Sequence, residues 1–378
     1  MLPFYRLPLI VRNEVIRSMD HKDCINLAMT SKRAAEKIRL ARIKTLYAVI
    51  EIDRVPRIVL WGGRLILFPN QELQFIKGRG VMDSKELKKW TDGSSKISVE
   101  NTAKVYKEIN NFIKFEDVHL VFGYDYKNVT TVKEVLSNPT FQKWKYCLFL
   151  YEKIDSEELK MILDMASPEK TVDCRANECP IDFRHENAFK FRNCVYKDAR
   201  WVKIEDLYEM NCHNVILERT SFTQTEIKAF IKHWVNSEND MFCQLNIMID
   251  EAIDSAEILD GLNVLDIEQL GLFYTIIKPS KTRKRMLLAL IIVENNLRLG
   301  EWAPGFSKPD VDVSEYEIIM KKQGVFDLLM EKKQMEMELE KANGDQEREI
   351  SNRLIQLDIE IEGYGVYFVN GKATLQLP

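Results

Sequence analysis

The sequence has none of the short motifs that mark the common active sites. Its 378 residues contain no P-loop, no Gly-x-Ser-x-Gly elbow, no kinase signature and no His-Glu-x-x-His helix. The fragment "GRG" at 78–80 is too short to cradle a phosphate. These absences argue against the frequent classes of nucleotide-binding and hydrolytic enzyme, and they predict a chain that is not itself an enzyme.

Long apolar runs are also missing. The longest run after the amino terminus is "MLLALIIV" at 286–293, far below the ~20 residues that span a bilayer. The opening stretch "MLPFYRLPLIVR" contains Tyr5 and Arg6 and has no small-residue cleavage site, so we predict no signal peptide. The sequence therefore predicts no membrane partner.

Cysteine occurs in an odd number and without the spacing of a metal site. The seven cysteines include no Cys-x-x-Cys pair, and the cysteines and histidines between 174 and 213 match no common structural zinc site. Irregularly spaced cysteines in odd number are typical of free thiols in a reducing compartment. We therefore predict no metal and no cofactor, with a cytoplasmic or nuclear location.

Charge of one sign is not in large excess. The formal net charge of -4, with 30% charged residues, offers no global attraction to nucleic acid or to anionic lipid. Basic residues cluster at 32–44, on one predicted helix, and in "KPSKTRKR" at 278–285. The second cluster fits a nuclear localisation signal, a phosphate-binding loop or a solvated loop before a strand, and we favour the last. No nucleic-acid partner is predicted.

The first forty residues carry helix signals that are too short to build a core alone. Apolar residues recur at helical spacing over about 11–19 and predict a first helix with an inward apolar stripe of Val11, Val15, Ile16 and Met19. A second helix follows, and Ser31 offers the N-cap of a third. Leu27 lies off the apolar stripe of the second helix. Because so small a unit buries little surface, we expect Leu27 and the leading Leu7-Pro8 to dock on another surface.

This stretch resembles an F-box. The family pattern has Leu-Pro at the entry, an apolar helix ending near Met-Asp, and then Leu-x-x-Leu-Ser-x-x-Ser-Lys, which is matched here by Leu7, Pro8, Met19, Asp20, Leu27, Ser31 and Lys32. Cys24 and Ala28 depart from it, where Leu and Ser are usual. The resemblance implies docking on a Skp-family adaptor, with apolar anchors and one helix cap among Leu7, Pro8, Ile25, Leu27 and Ser31. A three-helix cap on the following domain, without a partner, is the alternative.

The middle of the chain alternates short apolar runs with helix-patterned segments. Two apolar runs around Gly62-Gly63 predict a hairpin over 57–68. Strand candidates then recur at offsets of roughly 24 to 29 residues, with one longer gap of about 44, and the shorter offsets are in the range of leucine-rich repeats. They lie at 118–122, 147–151, 171–174, 215–219 and 244–249, with helix candidates at 132–136, 156–166, 202–210 and 224–235 and a possible missed unit at 188–191. Crossovers of this length favour parallel strands. The predicted fold is α/β, an N-terminal three-helix F-box followed by an irregular leucine-rich-repeat-like α/β solenoid.

The stretch 201–249 resembles the type 2 F-box-associated domain of the nematode F-box proteins. That domain has Trp-x-x-x-Glu-Asp-Leu, an apolar strand and a helix closing with Phe-x-x-x-Trp, and its signature positions here are Trp201, Leu207, Leu217, Phe230 and Trp234. The tail "GYGVYFVNGKATLQLP" resembles the closing strand pair of the same domain, with Asn370-Gly371 as its turn. We interpret the two tryptophans as core residues, which identify the fold without naming a contact surface.

Together the two resemblances predict a domain order and a class of function. The predicted segments are the F-box at 1–45, a connecting region with a hairpin at 46–110, the associated repeat domain at 111–262, a charged insertion at 263–346 and a closing segment at 347–378. The resemblance implies a non-catalytic substrate-recognition subunit of an SCF-type cullin-RING E3 ubiquitin ligase, which docks on the Skp-family adaptor and holds an unknown protein substrate. The alternative is an interaction module whose α/β solenoid binds a protein independently of ubiquitin.

Overall fold

The computed structural model describes most of the chain. The described residues are 4–53, 57–60, 65–67, 99–128, 130–267, 272–276, 282–283, 287–302, 323–369 and 372–375. They divide into two compact units, Met1–Pro180 and Ile181–Pro378, and each is treated by itself below. Within the described ranges, no helix is both long and apolar enough to cross a membrane.

Three short helices open the first unit, and they are α1 (Leu9–Ser18), α2 (His21–Thr30) and α3 (Lys32–Ala41). Polar caps separate them. The side chain of Asp20 accepts a hydrogen bond of 2.8 Å from the Asp23 N–H, and that of Ser31 accepts one of 3.1 Å from the Ala34 N–H. Arg42, with φ of 53°, ends α3 in the left-handed region and turns the chain toward the first strand.

A mixed sheet forms the rest of the first unit. Its described strands are β1 (Ile43–Ile52), β2 (Arg57–Leu60), β3 (Leu65–Leu67), β4 (Ile113–Phe122), β5 (Trp144–Phe149) and β6 (Thr171–Cys174). They lie in the order β6-β5-β4-β1-β2-β3, in which β1, β4, β5 and β6 run parallel and β2 and β3 pair antiparallel. The connecting helices are α4 (Val99–Phe112), α5 (Val132–Ser137) and α6 (Ser156–Leu163). The expected hairpin is β2-β3, and its Gly62-Gly63 turn lies outside the described residues.

The second unit has a larger mixed sheet. Its described strands are β7 (Asn193–Tyr196), β8 (Asn214–Leu217), β9 (Gln244–Met248), β10 (Leu265–Ile267), β11 (Leu272–Ile276), β12 (Leu287–Val293), β13 (Asn296–Trp302), β14 (Val366–Val369) and β15 (Lys372–Leu375). Their order is β14-β15-β10-β11-β12-β13-β9-β8-β7. Strands β7, β8 and β9 are parallel, whereas β9, β13, β12, β11 and β10 pair antiparallel in succession. The helices are α7 (Gln224–Asn236), α8 (Ser255–Leu259), α9 (Gln323–Leu339) and α10 (Asp345–Gly363).

Helices α9 and α10 pack on one end of the second unit's sheet. Their buried apolar residues join those of β10, β11, β12, β14 and β15 in a single core cluster, which includes Leu265, Tyr274, Leu287, Val325, Phe326 and Ile361. The two helices are separated near Gly344, whose φ of 64° is one that glycine adopts without strain. Both helices therefore dock on this end of the sheet through their buried apolar residues.

Part of the predicted insertion belongs to the sheet of the second unit. Strand β13 pairs antiparallel with β9, with Leu297 opposite Ile247 and Leu299 opposite Leu245. Residues from within 263–346 thus cover the edge that β9 would otherwise expose. The domain boundaries predicted from the sequence remain a proposal.

Two predicted elements are shorter or displaced in the structure. The helix expected at 202–210 is a single 3₁₀ turn, Ile204–Leu207, and the Asp206 carboxylate accepts a hydrogen bond of 2.8 Å from the Lys203 N–H at its start. The strand expected at 188–191 lies instead at β7, five residues later. Phe189 and Phe191 are buried. The apolar run at 188–191 is therefore a buried loop and not a strand.

Helix α6 begins at the predicted residue, Ser156, and the residue before it caps the helix. Asp155, not Ser156, is its N-cap, because the Asp155 carboxylate accepts from the Glu158 N–H at 2.8 Å. The Glu158 carboxylate in turn accepts a hydrogen bond of 3.4 Å from the Asp155 N–H, which completes a capping box. Adjacent Asp and Ser are both strong N-cap formers, and the acidic residue three positions later selects the first of them.

Candidate functional site

The first helix exposes an apolar surface of the first unit. Leu9 is 54% exposed, Ile10 77%, Val11 46% and Val15 38%. These four residues, called the α1 patch below, are the first three residues of a ten-residue helix and Val15, which lies one turn after Val11. Exposed apolar side chains grouped in this way are typical of a surface that binds a protein.

The α1 patch corrects the predicted orientation of this helix. The sequence pattern placed Val11 and Val15 on the buried stripe with Ile16, whereas the structure buries Arg12 and Ile16 and exposes both valines. Residues 12 and 16 are one turn apart and share a face. Arginine can cover apolar surface with its methylene stem, so it occupies a buried position that a polarity pattern assigns to solvent.

The orientation of α1 is fixed by polar contacts with its surroundings. The Arg17 guanidinium donates from Nε to the carbonyl oxygen of Ala41 at the end of α3, over 3.0 Å, and from Nη1 to the Glu14 carboxylate, over 2.6 Å. The Pro8 carbonyl accepts the first helical hydrogen bond, from the Arg12 N–H at 2.9 Å. These contacts hold the patch on the outer side of the three helices.

Two of the predicted adaptor-side residues adjoin the α1 patch. Leu7 is half-buried and Pro8 is exposed at the N-cap position of α1. Leu27 is half-buried on α2, and Ser31 is exposed and caps α3 with its hydroxyl. Leu7 and Pro8 thus lead directly into the patch, while Leu27 and Ser31 lie on the two following helices.

Ile25 differs from the other predicted adaptor-side residues because it is only 1% exposed. It lies in the interior with Cys24 and Ala28, the two departures from the F-box pattern. The Cys24 thiol donates to the carbonyl oxygen of Ile16 over 3.5 Å, and burial, helped by Asp20 and Asp23, raises its pKa to about 11. Both departures from the F-box pattern therefore affect the packing of the core. They do not change which residues these helices expose.

The five signature residues of the second unit are core residues. Trp201, Leu207, Leu217, Phe230 and Trp234 are all at most 1% exposed. The Trp201 ring contacts Phe183 and Tyr196 edge to face, with ring centroids 5.4 and 5.1 Å apart. These side chains define the packing of the unit and offer no surface to a partner.

A buried charge network surrounds Trp234. The Trp234 indole N–H donates to the Glu301 carboxylate, and the Arg283 guanidinium lies 3.8 Å from the centroid of the Trp234 ring. Arg283 also donates to the carbonyl oxygens of Trp234 at 2.6 Å and Ser237 at 3.1 Å, and its Nη2 lies 3.4 Å from Glu301 Oε1. Arg283 comes from the basic run that was predicted to be a solvated loop. Nothing in the sequence of that run marks Arg283 as a buried residue, because the residues that it contacts are far away in the sequence.

The cysteines form no metal site in the part of the chain that the structure describes. All seven are buried with free thiols, and no group of three or more His, Cys, Asp or Glu residues there could hold an ion. Cys194 and Cys212 approach each other to 3.8 Å between sulfur atoms. Burial raises the pKa of the Cys194 thiol well above its ordinary value, with Cys212 adding to the effect.

Comparisons with known families match both units. The F-box domain model matches residues 4–46, which contain the α1 patch, and the F-box associated model matches residues 182–247, which contain all five signature residues. The predicted resemblance to a nematode F-box protein with an associated domain is thereby confirmed. Residues 4–46 are thus similar to F-box domains, and residues 182–247 of the second unit are similar to F-box associated domains.

Two curated relatives come from Caenorhabditis elegans. An uncharacterized protein is 18% identical over 277 residues, which is 67% of this chain and 62% of the relative. The E3 ubiquitin-protein ligase hecw-1 is 26% identical over 83 residues, which is 22% of this chain and 7% of that protein. The chain thus spans less than two thirds of the length of each. No solved structure matches it.

Proposed function

We propose that the chain is the substrate-recognition subunit of an SCF-type cullin-RING E3 ubiquitin ligase. The α1 patch is the observation that carries the proposal, because it lies within the matched F-box and presents four exposed apolar side chains. In this proposal the patch docks on a Skp-family adaptor together with Leu7, Pro8 and Leu27. Ser31 holds α3 in place as its cap, and Ile25 supports the surface from the core.

The size of the patch is sufficient for a specific contact. Complete burial of an isoleucine or valine side chain contributes about 1.5–3 kcal/mol, and Ile10 at 77% exposure has most of that area available. Since about 1.4 kcal/mol corresponds to a factor of ten in the dissociation constant, one such anchor affects binding measurably. A carboxylate in its place would also have to be desolvated on docking.

In the proposal the second unit holds the target protein. Its F-box associated match supports this role, and the parallel strand-helix segments of both units support the predicted irregular, leucine-rich-repeat-like architecture. The chain performs no bond chemistry. Its contribution is effective concentration, because a target held near the charged conjugating enzyme reacts in a nearly unimolecular step. The ligase assembly would act in the cytoplasm or nucleus.

Adaptor binding by the purified chain tests the proposal. We expect a nematode Skp-family adaptor to bind the wild-type chain and to bind the Ile10→Asp/Val15→Asp variant at least tenfold more weakly in calorimetry. Tyr124→Asp is the matched control, because Tyr124 is 74% exposed, belongs to the same unit and lies outside the F-box match. Equal melting temperatures establish that both variants fold.

The result also separates the ligase role from the alternative interaction module. The contacts of α3 with α4 and of Arg17 with Ala41 are those that a structural cap on the first unit would also make. If the adaptor fails to bind the folded wild-type chain, or binds all variants equally, the helices serve as a cap and the ligase proposal is wrong. Loss of binding confined to the α1 variant supports the ligase role.

A further inference from the structure

Two isoleucines on the outer side of α10 are exposed to solvent. The helix buries Ile350, Leu357 and Ile361 against the rest of the second unit. Ile355 and Ile359 each lie two positions from Leu357, which is about 200° around a helix of 3.6 residues per turn, so they point away from the core. Their side chains are 61% and 58% exposed. They are one turn apart and form a short apolar strip along the helix.

Ion pairs with α9 fix the orientation of α10. The Arg353 Nη2 lies 2.6 Å from Glu331 Oε1, and Lys332 of α9 is paired with Asp358. Arg353 is one turn before the buried Leu357 and Asp358 directly follows it, so the two pairs lie on opposite sides of the buried stripe. A rotation of the helix that buried the isoleucine strip would break both pairs. The strip therefore belongs to the outer surface of the second unit.

Two opposite charges lie at equal distances from Ile355 on the same side of α10. Arg348 is seven residues before Ile355 and Glu362 is seven residues after it. Seven residues make nearly two full turns, so all three side chains share one side of the helix. Arg348 and Glu362 are exposed, and neither side chain forms an ion pair with another described residue. These three residues and Ile359 are called the α10 face below.

The α10 face is complementary to itself when one copy is reversed. If two copies of α10 lie antiparallel with both Ile355 side chains at a two-fold axis, Arg348 of each copy faces Glu362 of the other. The two Ile355 side chains meet at the centre, and each Ile359 packs beside them. A parallel arrangement would instead place Arg348 opposite Arg348 and Glu362 opposite Glu362. A two-fold dimer needs a surface that matches its own copy, and the antiparallel arrangement meets this condition in both shape and charge.

We propose that a second copy of this chain binds the α10 face, so that the chain forms an antiparallel two-fold dimer through α10. The helix has 19 residues and is about 28 Å long, so the contact is smaller than the ~800 Å² per partner of a standard interface. We therefore expect a weak and reversible dimer. The inference uses no residue of the F-box match and does not depend on the proposed function. If the proposed function also holds, the dimer brings two target-binding units into one assembly and raises the avidity for a target with two binding segments.

Sedimentation equilibrium of the full chain, from about 2 µM to about 200 µM, tests the inference. We expect the mean mass to rise with concentration from that of one chain toward that of two, and the dissociation constant of the Ile355→Asp/Ile359→Asp variant to be at least about tenfold higher. Ile181→Asp is the matched control, because Ile181 is 57% exposed, belongs to the same unit and lies outside α10. All chains also carry Ile10→Asp and Val15→Asp, so that the α1 patch cannot cause the association. Equal melting temperatures establish that the variants fold.

Charge reversal tests the antiparallel pairing of Arg348 with Glu362. The Arg348→Glu variant and the Glu362→Arg variant each place like charges at both contacts of their own dimer, so each should dimerise about fivefold more weakly or worse. In an equal mixture of the two variants, both contacts again join a positive to a negative side chain, and the mixture should associate as tightly as the parent chain. The Arg348→Glu/Glu362→Arg variant should also regain the parent affinity, because the reversed charges again match in the antiparallel arrangement. Lys341→Glu, an exposed reversal outside α10, should leave the affinity unchanged.

The inference is overturned if the chain stays monomeric up to about 200 µM, or if the isoleucine variant associates as tightly as the Ile181→Asp control does. It is also overturned if neither the mixture nor the double charge variant regains affinity. Adaptor binding is measured separately on chains that have an intact α1 patch. A monomer that binds the adaptor would refute the dimer and leave the ligase role standing, whereas a dimer that fails to bind the adaptor would refute the ligase role alone.

Discussion

Replacing Arg283 by alanine should destabilise the second unit by about 3–5 kcal/mol, the cost of removing one partner from a buried ion pair. The side chains of Arg283 and Glu301 are both fully buried. The substitution removes the hydrogen bonds to the carbonyl oxygens of Trp234 and Ser237 and the contact with the Trp234 ring. It also leaves the Glu301 carboxylate without a positive charge beside it, and this uncompensated charge accounts for most of the cost.

A double-variant cycle separates charge from packing at this site. Glu301→Gln keeps an acceptor for the Trp234 indole and removes the negative charge. In the wild-type chain it should destabilise, because Arg283 then remains charged and buried. In an Arg283→Met background it should stabilise by about 2 kcal/mol or more, because no charge is left. The sign of the Glu301→Gln effect therefore reverses between the two backgrounds.

Native-state hydrogen exchange of the amides of α7 and β9, followed in increasing urea, measures these free energies within the second unit. Lys341→Ala, an exposed substitution in the same unit, should change them by less than about 0.5 kcal/mol. A loss below about 1 kcal/mol for Arg283→Ala, or the same sign of the Glu301→Gln effect in both backgrounds, would refute the reasoning.

Three other substitutions or treatments have defined outcomes. Ser31→Ala should lower the free energy of unfolding, measured in urea, by about 1 kcal/mol, because it removes the cap of α3. Ser156→Ala should leave that free energy almost unchanged, because Asp155 is the cap of α6. Equal losses for the two variants would contradict the cap assignment. Burial lowers the pKa of His119, which stacks on Tyr47 with ring centroids 4.3 Å apart. The unfolded state then binds more protons, so stability is lost as the pH falls through the ordinary histidine pKa near 6.5, and His119→Phe should reduce this loss between pH 7.5 and 5.5. If the free energy of unfolding of the variant depended on pH as that of the wild type does, His119 would not titrate in this way. Finally, 5,5′-dithiobis(2-nitrobenzoate) should label less than about one thiol per native chain in minutes and all seven in guanidinium chloride, since all seven are buried; rapid native labelling would contradict that burial.

Local signals were sufficient for most elements of both units. The capping residues Ser31 and Thr223 start helices where the sequence predicts them, and the parallel crossovers follow from strand and helix lengths. The cores also follow from pattern, since Trp201, Phe230 and Trp234 are buried as interpreted. Each of these features depends on residues that are close in sequence.

The surface of α1 and the Trp234 network could not be predicted in the same way. An apolar residue on a short helix suits a core and a docking surface equally well, and the periodicity of apolar residues cannot distinguish the two. The sequence pattern therefore placed Val11 and Val15 in the core. The sequence around Arg283 has the composition of a solvated basic loop. Only folding brings the Arg283 side chain next to Glu301.

The hydrogen bond from Trp234 to Glu301 joins residues that are 67 positions apart, and the pairing of β9 with β13 joins residues that are 48 to 56 positions apart. During synthesis the matched associated segment, which ends at residue 247, leaves the ribosome well before β13 does. Until then β9 has an open edge and Trp234 lacks its acceptor. We expect a β9 strand that pairs with β8 in this interval to offer its open edge to a neighbouring chain, and we expect the closure of the long loop to slow folding. The interval between the synthesis of β9 and that of β13 is therefore one in which aggregation is expected.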